Sequence, residues 1–253
     1  MGEICLTYLN SQQVKALVTD PITDTQNTPF LEYCSVYWGV HAKKELSDRG
    51  RLLALELLKG DYGEISTRLL LTRVKYFPIW NFDTLSLFNG LHWASFFGII
   101  EVVAGLIEIE CCDINEGDFA GRGLLGWAAR NGHEGVVKLL LGWGEIIPDR
   151  SDYDGRTPLS HAAECGHEGV VKIILGREDV SPNELDNEGR ASLSHAAECG
   201  HEGVVKILLG RKEVNPDKPD IWGRTPLSSA SESGHERMVA LLQSRGAVPP
   251  RTV

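Results

Sequence analysis

The sequence predicts an all-α solenoid, in which pairs of short helices stack along one axis. Residues 159–173 read LSHAAECGHEGVVKI, and the same fifteen residues recur unchanged at 193–207, an interval of 34. Two sets of glycines repeat at that interval. They are Gly121, Gly155, Gly189 and Gly223, and Gly132, Gly166, Gly200 and Gly234. A period in the low thirties indicates that each unit is one supersecondary element, so we expect function to lie along a shared surface.

The glycine alignment defines the repeats and the predicted domains. Four units follow one another at 118–151, 152–185, 186–219 and 220–253. One period upstream, residues 83–117 keep a small-residue pair and the later valines but lack the turn glycine, which predicts a degenerate repeat. We number these units as the first (83–117) to the fifth (220–253) repeat. Residues 1–82 lack the period and are predicted to form a helical N-terminal cap.

The third repeat shows why each unit should form two antiparallel helices. Thr157 can accept the free N–H groups of a starting helix, and Pro158 suits its first turn. Gly166 supplies the left-handed residue that ends this helix. The second helix then presents an apolar stripe to the core, formed by Val170, Val171, Ile174 and Leu175. Glu168 and Lys172 stand four apart in the favourable order for an exposed ion pair.

The N-terminal 82 residues have a different pattern. Pro21 and Pro29 bound a polar loop, and Pro78 stops the pattern before the repeats begin. Between these points two amphipathic helices are predicted from apolar spacing. The first carries Leu52, Leu53, Leu57 and Leu58, and the second carries Ile65, Leu69, Leu70 and Val74.

Composition argues against several classes of partner. The 35 acidic and 25 basic residues give a net charge of -10, which opposes binding to nucleic acid or to an anionic membrane surface. The longest apolar stretch, 96–109, is interrupted by Glu101 and Glu108 and should not span a membrane. Six cysteines in 253 residues are too sparse for a disulfide framework. We therefore expect reduced thiols and a cytoplasmic location, with no export signal.

The repeats resemble the ankyrin repeat, whose pattern is DxxGxTPLHxAAxxGHxxVVxLLL, over about two thirds of the chain. Ser160, Ser194 and Ser228 stand where that family usually has His. The fourth repeat has Ala191 and Ser192 in place of the capping Thr and Pro, which should weaken it by about 1 kcal/mol. The resemblance implies that the turn tips and first helices line a concave protein-binding surface.

A second resemblance concerns the N-terminal part. The segments 4–9 (ICLTYL) and 30–42 (FLEYCSVYWGVHA) are similar to the helical stretch that joins the nucleotide-binding domain to ankyrin repeats in fungal NACHT-type signalling NTPases. The sequence contains no GxxxxGK[ST] phosphate loop and no Gly-Lys dipeptide. We therefore expect no nucleotide to bind to this chain.

Two repeated clusters could in principle carry chemistry. The possible metal ligands are His161, Cys165 and His167, and their copies His195, Cys199 and His201. Equivalent residues of stacked helices stay about 8–10 Å apart, too far to converge on zinc at about 2.0–2.3 Å or to form a disulfide. Cys165 has an identical copy at Cys199, which is unusual for a catalytic nucleophile. We expect no catalytic residue, metal or cofactor.

Two histidine-containing columns have structural explanations. One column consists of the histidines that follow the second glycine set, His133, His167, His201 and His235. The resemblance to the ankyrin family implies that they form interior hydrogen bonds that tie adjacent turns together, rather than sense pH. Another column is expected to fill the core. It consists of Trp93, Trp127, His161, His195 and Ser229.

A protein partner is expected on the turn tips and at the ends of the first helices. Exposed Tyr and Trp are enriched among binding hot spots, although these side chains could instead pack on neighbouring tips. The turn arginines either pair internally or remain available to an acidic partner segment. The expected contact residues are Phe119, Arg122, Arg130, Tyr153, Asp154, Arg156, Glu164, Asn187, Glu188, Arg190, Glu198, Ile221, Trp222, Arg224 and Glu232.

The sequence therefore favours a non-catalytic protein-interaction module. The leading hypothesis is the partner- or ligand-sensing arm of a fungal NACHT-type signalling protein. The alternative is a free-standing scaffold or adaptor, and a thiol- or metal-dependent enzyme is a distant third.

Overall fold

A computed structural model describes residues 1–11, 34, 37, 39, 41–42, 46–58, 89–109 and 113–247. Twelve α-helices have described bounds, residues 34, 37, 39 and 41–42 are also helical, and the described residues contain no β-strand, which confirms the all-α class. Chain contacts define two compact units, Met1–Phe119 and Ala120–Val253. The predicted loop between Pro21 and Pro29, most of segment 30–42 and the predicted helix around Leu69 lie outside the described residues.

The first unit contains four described helices, α1 (Gly2–Leu9), α2 (Asp48–Leu58), α3 (Gly90–Phe97) and α4 (Ile100–Ile109). Helix α2 packs against the other three. It buries Leu57 and Leu58 as predicted, but Leu52 is 66% exposed, so its assignment to the apolar face was wrong. The buried face of α2 includes Ala54 and Leu55 instead, because these side chains lie on the same side of the helix as Leu58.

Helices α3 and α4 form the degenerate first repeat. The Asn89 side chain caps α3 by accepting the backbone N–H groups of Leu91 and His92 at 3.0 and 3.2 Å. Gly98, with φ 74°, ends the helix in the left-handed conformation. The first repeat is therefore a helix pair despite its missing turn glycine. The proposed domain boundary at residue 82 lies outside the described residues and stays a prediction.

The second unit contains four helix pairs. They are α5 (Leu124–Arg130) with α6 (Glu134–Gly142), α7 (Pro158–Glu164) with α8 (Glu168–Leu175), α9 (Ser192–Glu198) with α10 (Glu202–Leu208), and α11 (Pro226–Glu232) with α12 (Glu236–Ser244). First helices pack on first helices and second helices on second helices. The alanine pair of each first helix in the third and fourth repeats is fully buried, which permits this close stacking.

Helix capping follows the sequence prediction. Thr157 and Thr225 accept the backbone N–H groups of Ser160 and Ser228 at 3.2 and 3.3 Å. Ala191, at the same position of the fourth repeat, provides no side-chain cap. The fourth repeat therefore begins its first helix without a bond that its neighbours have.

The glycine that follows the first helix of the third repeat is required for two structural reasons. Gly166 has φ 75°, a conformation that side chains other than glycine rarely adopt. A Cβ atom on Gly166 would also lie 2.6 Å from Nδ1 of His201 in the next repeat. Substitution is therefore excluded both by the backbone of one repeat and by the packing of the next.

No helix in the described part of the chain is long and apolar enough to cross a membrane.

Candidate protein-binding surface

The turn tips comprise residues 119–122, 153–156, 187–190 and 221–224, and backbone hydrogen bonds join those of the second unit into a row. The N–H of Tyr153 donates to the carbonyl of Ala120 at 2.9 Å. The N–H of Asn187 donates to the carbonyl of Asp154, also at 2.9 Å. Ile221 and Glu188 repeat this contact at the same distance. Each tip is thus fixed to its predecessor by main-chain atoms, whatever its side chains are.

A buried aspartate accepts backbone hydrogen bonds from each of the tips 153–156, 187–190 and 221–224. Oδ1 of Asp152 accepts the N–H groups of Asp154 and Arg156 at 3.0 and 2.9 Å. Asp186 and Asp220 make the same two bonds within their own turns. Asp152, Asp186 and Asp220 were not among the predicted site residues. Their recurrence 34 apart, three residues before each turn glycine, was the pattern that could have identified them.

The second oxygen of Asp152 pairs with a histidine and an arginine. Nε2 of His161 lies 2.9 Å from Oδ2, and Nη2 of Arg122 lies 3.3 Å from the same atom. The His161 side chain is 1% exposed, and its Nδ1 has no hydrogen-bond partner among the described residues. Nε of Arg122 also lies 3.2 Å from His161 Nε2, but the closer carboxylate oxygen of Asp152 is the only acceptor at that nitrogen in the described part of the chain. We therefore assign the neutral tautomer in which Nε2–H donates to Asp152.

Burial lowers the pKa of His161 to about 4, with a smaller contribution from the nearby Arg122 and against the opposing effect of Asp152. Protonating Nδ1 would create a buried donor without an acceptor, which explains the direction. Burial is the largest influence on the pKa of Asp152 and raises it, but the contacts with His161, the backbone N–H of Arg156 and the charge of Arg122 together hold that pKa below its usual range. The fourth repeat has the same pair, with His195 Nε2 3.0 Å from Asp186 Oδ2.

The core column is buried as expected, with Trp127 at 1% and His161 at 1% exposure. Its histidines do more than fill space, because each donates to the aspartate that anchors a tip. The aspartate contacts were not part of the sequence expectation. The histidine therefore connects the first helix to the turn tip of its own repeat.

The arginines of the second and third repeats are held by internal contacts. Nη1 of Arg156 bonds both oxygens of Glu164 at 3.1 and 3.2 Å, and Arg130 reaches the same carboxylate at 3.0 Å. Burial raises the pKa of Glu164, but Arg156 and Arg130 outweigh this effect and lower it overall. Arg122 also lies 4.5 Å from the centre of the Trp127 ring. These contacts correspond to the internal-pairing alternative.

The arginines of the fourth and fifth repeats are also paired. Arg190 contacts Asp186 at 3.1 Å, Glu188 at 2.6 Å and Glu198 at 3.5 Å. Arg224 contacts Asp220 at 2.8 Å. Each of these arginines thus has a carboxylate partner from its own repeat.

The apolar tip side chains remain largely exposed. Tyr153 is 72% exposed, Ile221 65% and Trp222 59%. The Tyr153 ring lies over Gly121, so the tips do pack on their neighbours in part. The greater share of each side chain nevertheless faces solvent.

The polar tip residues differ in exposure. Asp154 and Asn187 are exposed, and the Asn187 amide donates to the carbonyl of Tyr153 at 2.8 Å. Glu232, at the end of the last first helix, is also exposed, whereas Phe119 is half-buried.

The post-glycine histidines link consecutive repeats, as predicted. Nε2 of His167 lies 2.9 Å from the carbonyl of Arg130. His201 makes the same contact to the carbonyl of Glu164 at 2.9 Å, and His235 makes it to the carbonyl of Glu198 in the preceding repeat at 3.0 Å. Their role is structural in the described part of the chain.

Cys165 and Cys199 lack the environment of an activated nucleophile. Burial raises the pKa of both Cys165 and Cys199, which keeps them protonated near neutral pH, whereas a reactive cysteine has a lowered pKa. No group of three or more His, Cys, Asp or Glu within the described ranges is placed to hold a metal ion.

The stacked helix pairs and protruding tips define an all-α repeat protein. A family model described as ankyrin repeats in three copies matches residues 91–186 and 169–252, which is more than half of the chain. The chain therefore belongs to the ankyrin repeat family. Such repeats generally act as non-catalytic modules for protein interaction. A search of curated proteins found no match to this sequence.

Proposed function

We propose that this chain recognises a protein partner through its turn tips and catalyses no reaction. The observation that carries the proposal is the exposure of Tyr153, Ile221 and Trp222 on a row of turns fixed by buried aspartates. Large aromatic side chains on a rigid frame lose little conformational entropy when a partner covers them. The ion pairs of the turn arginines hold these turns in place and place charged groups around the exposed side chains.

Partner capture by the full chain tests the proposal. Proteins retained from extract are identified, and one of them is then produced in pure form for affinity measurement. The double substitution Tyr153→Ala with Trp222→Ala should weaken binding by at least about tenfold, since hot-spot aromatics contribute about 2 kcal/mol or more each.

Ile147→Ala is the matched control, because Ile147 is 52% exposed but lies outside the tips. Its affinity should stay within about twofold of the parent chain. Circular dichroism should show both variants folded. An unchanged affinity in the folded double variant would remove the tips from the binding surface.

We further propose that the chain serves in the cytoplasm as the sensing arm of a fungal NACHT-type signalling protein. The short segments 4–9 and 30–42 support this assignment by their resemblance to the linker of such proteins. Sequencing the transcript upstream of Met1 tests it. A reading frame with a GxxxxGK[ST] domain is expected, and a stop codon there would favour the adaptor alternative.

A further inference from the structure

We infer that the tips of the fourth and fifth repeats accept a basic protein segment that carries an arginine or lysine beside an apolar side chain. This inference rests on the proposed function and specifies the partner. It concerns the C-terminal tip patch, which we define as Glu188, Glu198, Ile221, Trp222 and Glu232.

The charge around Arg190 is unbalanced. One guanidinium contacts three carboxylates, those of Asp186, Glu188 and Glu198. Asp186 is buried, whereas the side chains of Glu188 and Glu198 are 43% and 42% exposed. A single cation cannot neutralise three anions, so the exposed part of this cluster is acidic.

Carboxylates also surround the apolar tip of the fifth repeat. The N–H of Ile221 bonds the carbonyl of Glu188, which places the exposed isoleucine beside the acidic cluster. Arg224 is neutralised by Asp220 and also lies in the field of Glu232 and Glu198. The apolar tip is therefore bordered by carboxylates in excess of arginines.

Trp222 gives this surface a place for a cation. Its ring stacks on Arg224 at 4.8 Å, and 59% of the side chain is still exposed. An arginine or lysine of the partner can lie on the exposed part of the ring near the carboxylates, where cation–π and ionic attraction act together. Ile221 offers the adjacent contact for an apolar side chain.

The third repeat lacks this excess. Glu164 is shared by Arg130 and Arg156, so two cations surround one carboxylate there. The excess of carboxylates over arginines therefore distinguishes the tips of the fourth and fifth repeats from that of the third repeat. An acidic segment, which the sequence alone allowed, would meet repulsion at Glu188 and Glu198.

Selection of displayed random peptides on the full chain tests the inference. Peptides that bind the parent chain but not the Trp222→Ala variant are sequenced and synthesised. They should carry net positive charge, with Arg or Lys next to an apolar residue, and their affinity should fall as salt is raised.

Charge-removing variants localise the effect. Glu188→Gln with Glu198→Gln should weaken these peptides by about three- to tenfold. Glu168→Gln with Glu202→Gln removes the same charge from the second helices and should change affinity less than about twofold. Equal weakening by both variants would show a nonspecific effect of net charge and overturn the inference.

The outcomes separate the two proposals. Peptides that depend on Trp222 but are acidic or uncharged would overturn the inference and leave the proposed function standing. If no selected peptide or captured partner depends on Trp222 or Tyr153, the proposed function fails, and the inference fails with it.

Discussion

The third and fourth repeats contain the same fifteen-residue helical segment but use the same turn arginine differently. Arg156 of the third repeat reaches Glu164 at the end of its own first helix. Arg190 of the fourth repeat bonds Asp186 in its own turn and approaches Glu198 only at 3.5 Å. In the third repeat the equivalent aspartate, Asp152, is paired by an arginine of the preceding repeat.

The preceding repeat also supplies different charges in the two cases. The first helix before the third repeat ends in Arg130, which adds a second cation to Glu164. The first helix before the fourth repeat ends in Glu164 itself, so no extra cation reaches Glu198 from there. Identical helices therefore acquire different electrostatic environments from their neighbours in the stack. The contrast shows that the two repeats share one backbone fold, whereas the charge of their surface depends on the order of the repeats.

Removing the buried aspartates should produce the largest difference in the free energy of unfolding between the third and fourth repeats. Asp152→Ala is expected to lower the free energy of unfolding by about 3 kcal/mol, because His161, two backbone N–H groups and Arg122 lose an acceptor. Asp186→Ala should lower it less, since Arg190 keeps two other carboxylates. Urea denaturation measures both.

The exposed Asp154 in the same turn provides the control. Asp154→Ala should change the free energy of unfolding by less than about 0.5 kcal/mol. If Asp152→Ala and Asp186→Ala are equally destabilising, the proposed difference in arginine pairing has no energetic meaning.

Acid should destabilise the protein through His161. The folded-state pKa is about 4, below the ordinary value of 6.5, so the stabilisation by neutral His161 is complete above pH 6.5. This stabilisation is lost as the pH falls from 6.5 to about 4, by about 3 kcal/mol at most. The lowered pKa of Asp152 adds a further loss only at still lower pH.

His161→Gln sharpens this prediction, because glutamine can still donate to Asp152 but does not titrate. Denaturation midpoints measured between pH 7 and pH 4 should fall less steeply for the variant than for the parent chain. Parallel pH profiles would contradict a neutral, buried His161 in the native state.

Restoring the missing cap should make the fourth repeat more like the third. Ala191→Thr with Ser192→Pro is expected to raise the free energy of unfolding by about 1 kcal/mol, since Thr can accept a backbone N–H group as Thr157 does. The reverse change, Thr157→Ala with Pro158→Ser, should lower it by a similar amount. Thermal and urea midpoints check both, and an unchanged or lowered midpoint for the restored cap would count against the repeat alignment.

The smallest effect is expected on the second helices of the third and fourth repeats, α8 and α10. The pairs Glu168 with Lys172 and Glu202 with Lys206 are exposed, at 3.8 and 3.7 Å. Lys172→Met and Lys206→Met should each change the free energy of unfolding by about 0.2–0.5 kcal/mol, equally in the two repeats. Unequal effects in urea denaturation would show that these two helices are not equivalent.

The sequence predicted the helix pairs and the linking histidines because both depend on contacts at fixed chain separations. His201, for example, always meets the carbonyl of the residue at the end of the preceding first helix. The partner chosen by Arg156 or Arg190 could not be predicted, since several carboxylates lie within reach of one flexible side chain. The exposure of Leu52 was missed for a related reason, because periodicity alone does not say which of several leucines faces a neighbour.

The main-chain bonds between successive tips have an evolutionary consequence. Tyr153, Asn187 and Ile221 occupy equivalent positions, yet all three are held through their backbone N–H groups. If the tips recognise the partner, as we propose, a substitution there changes the recognised molecule and keeps these backbone hydrogen bonds. Such an array can change specificity one turn at a time, without a compensating substitution elsewhere in the protein.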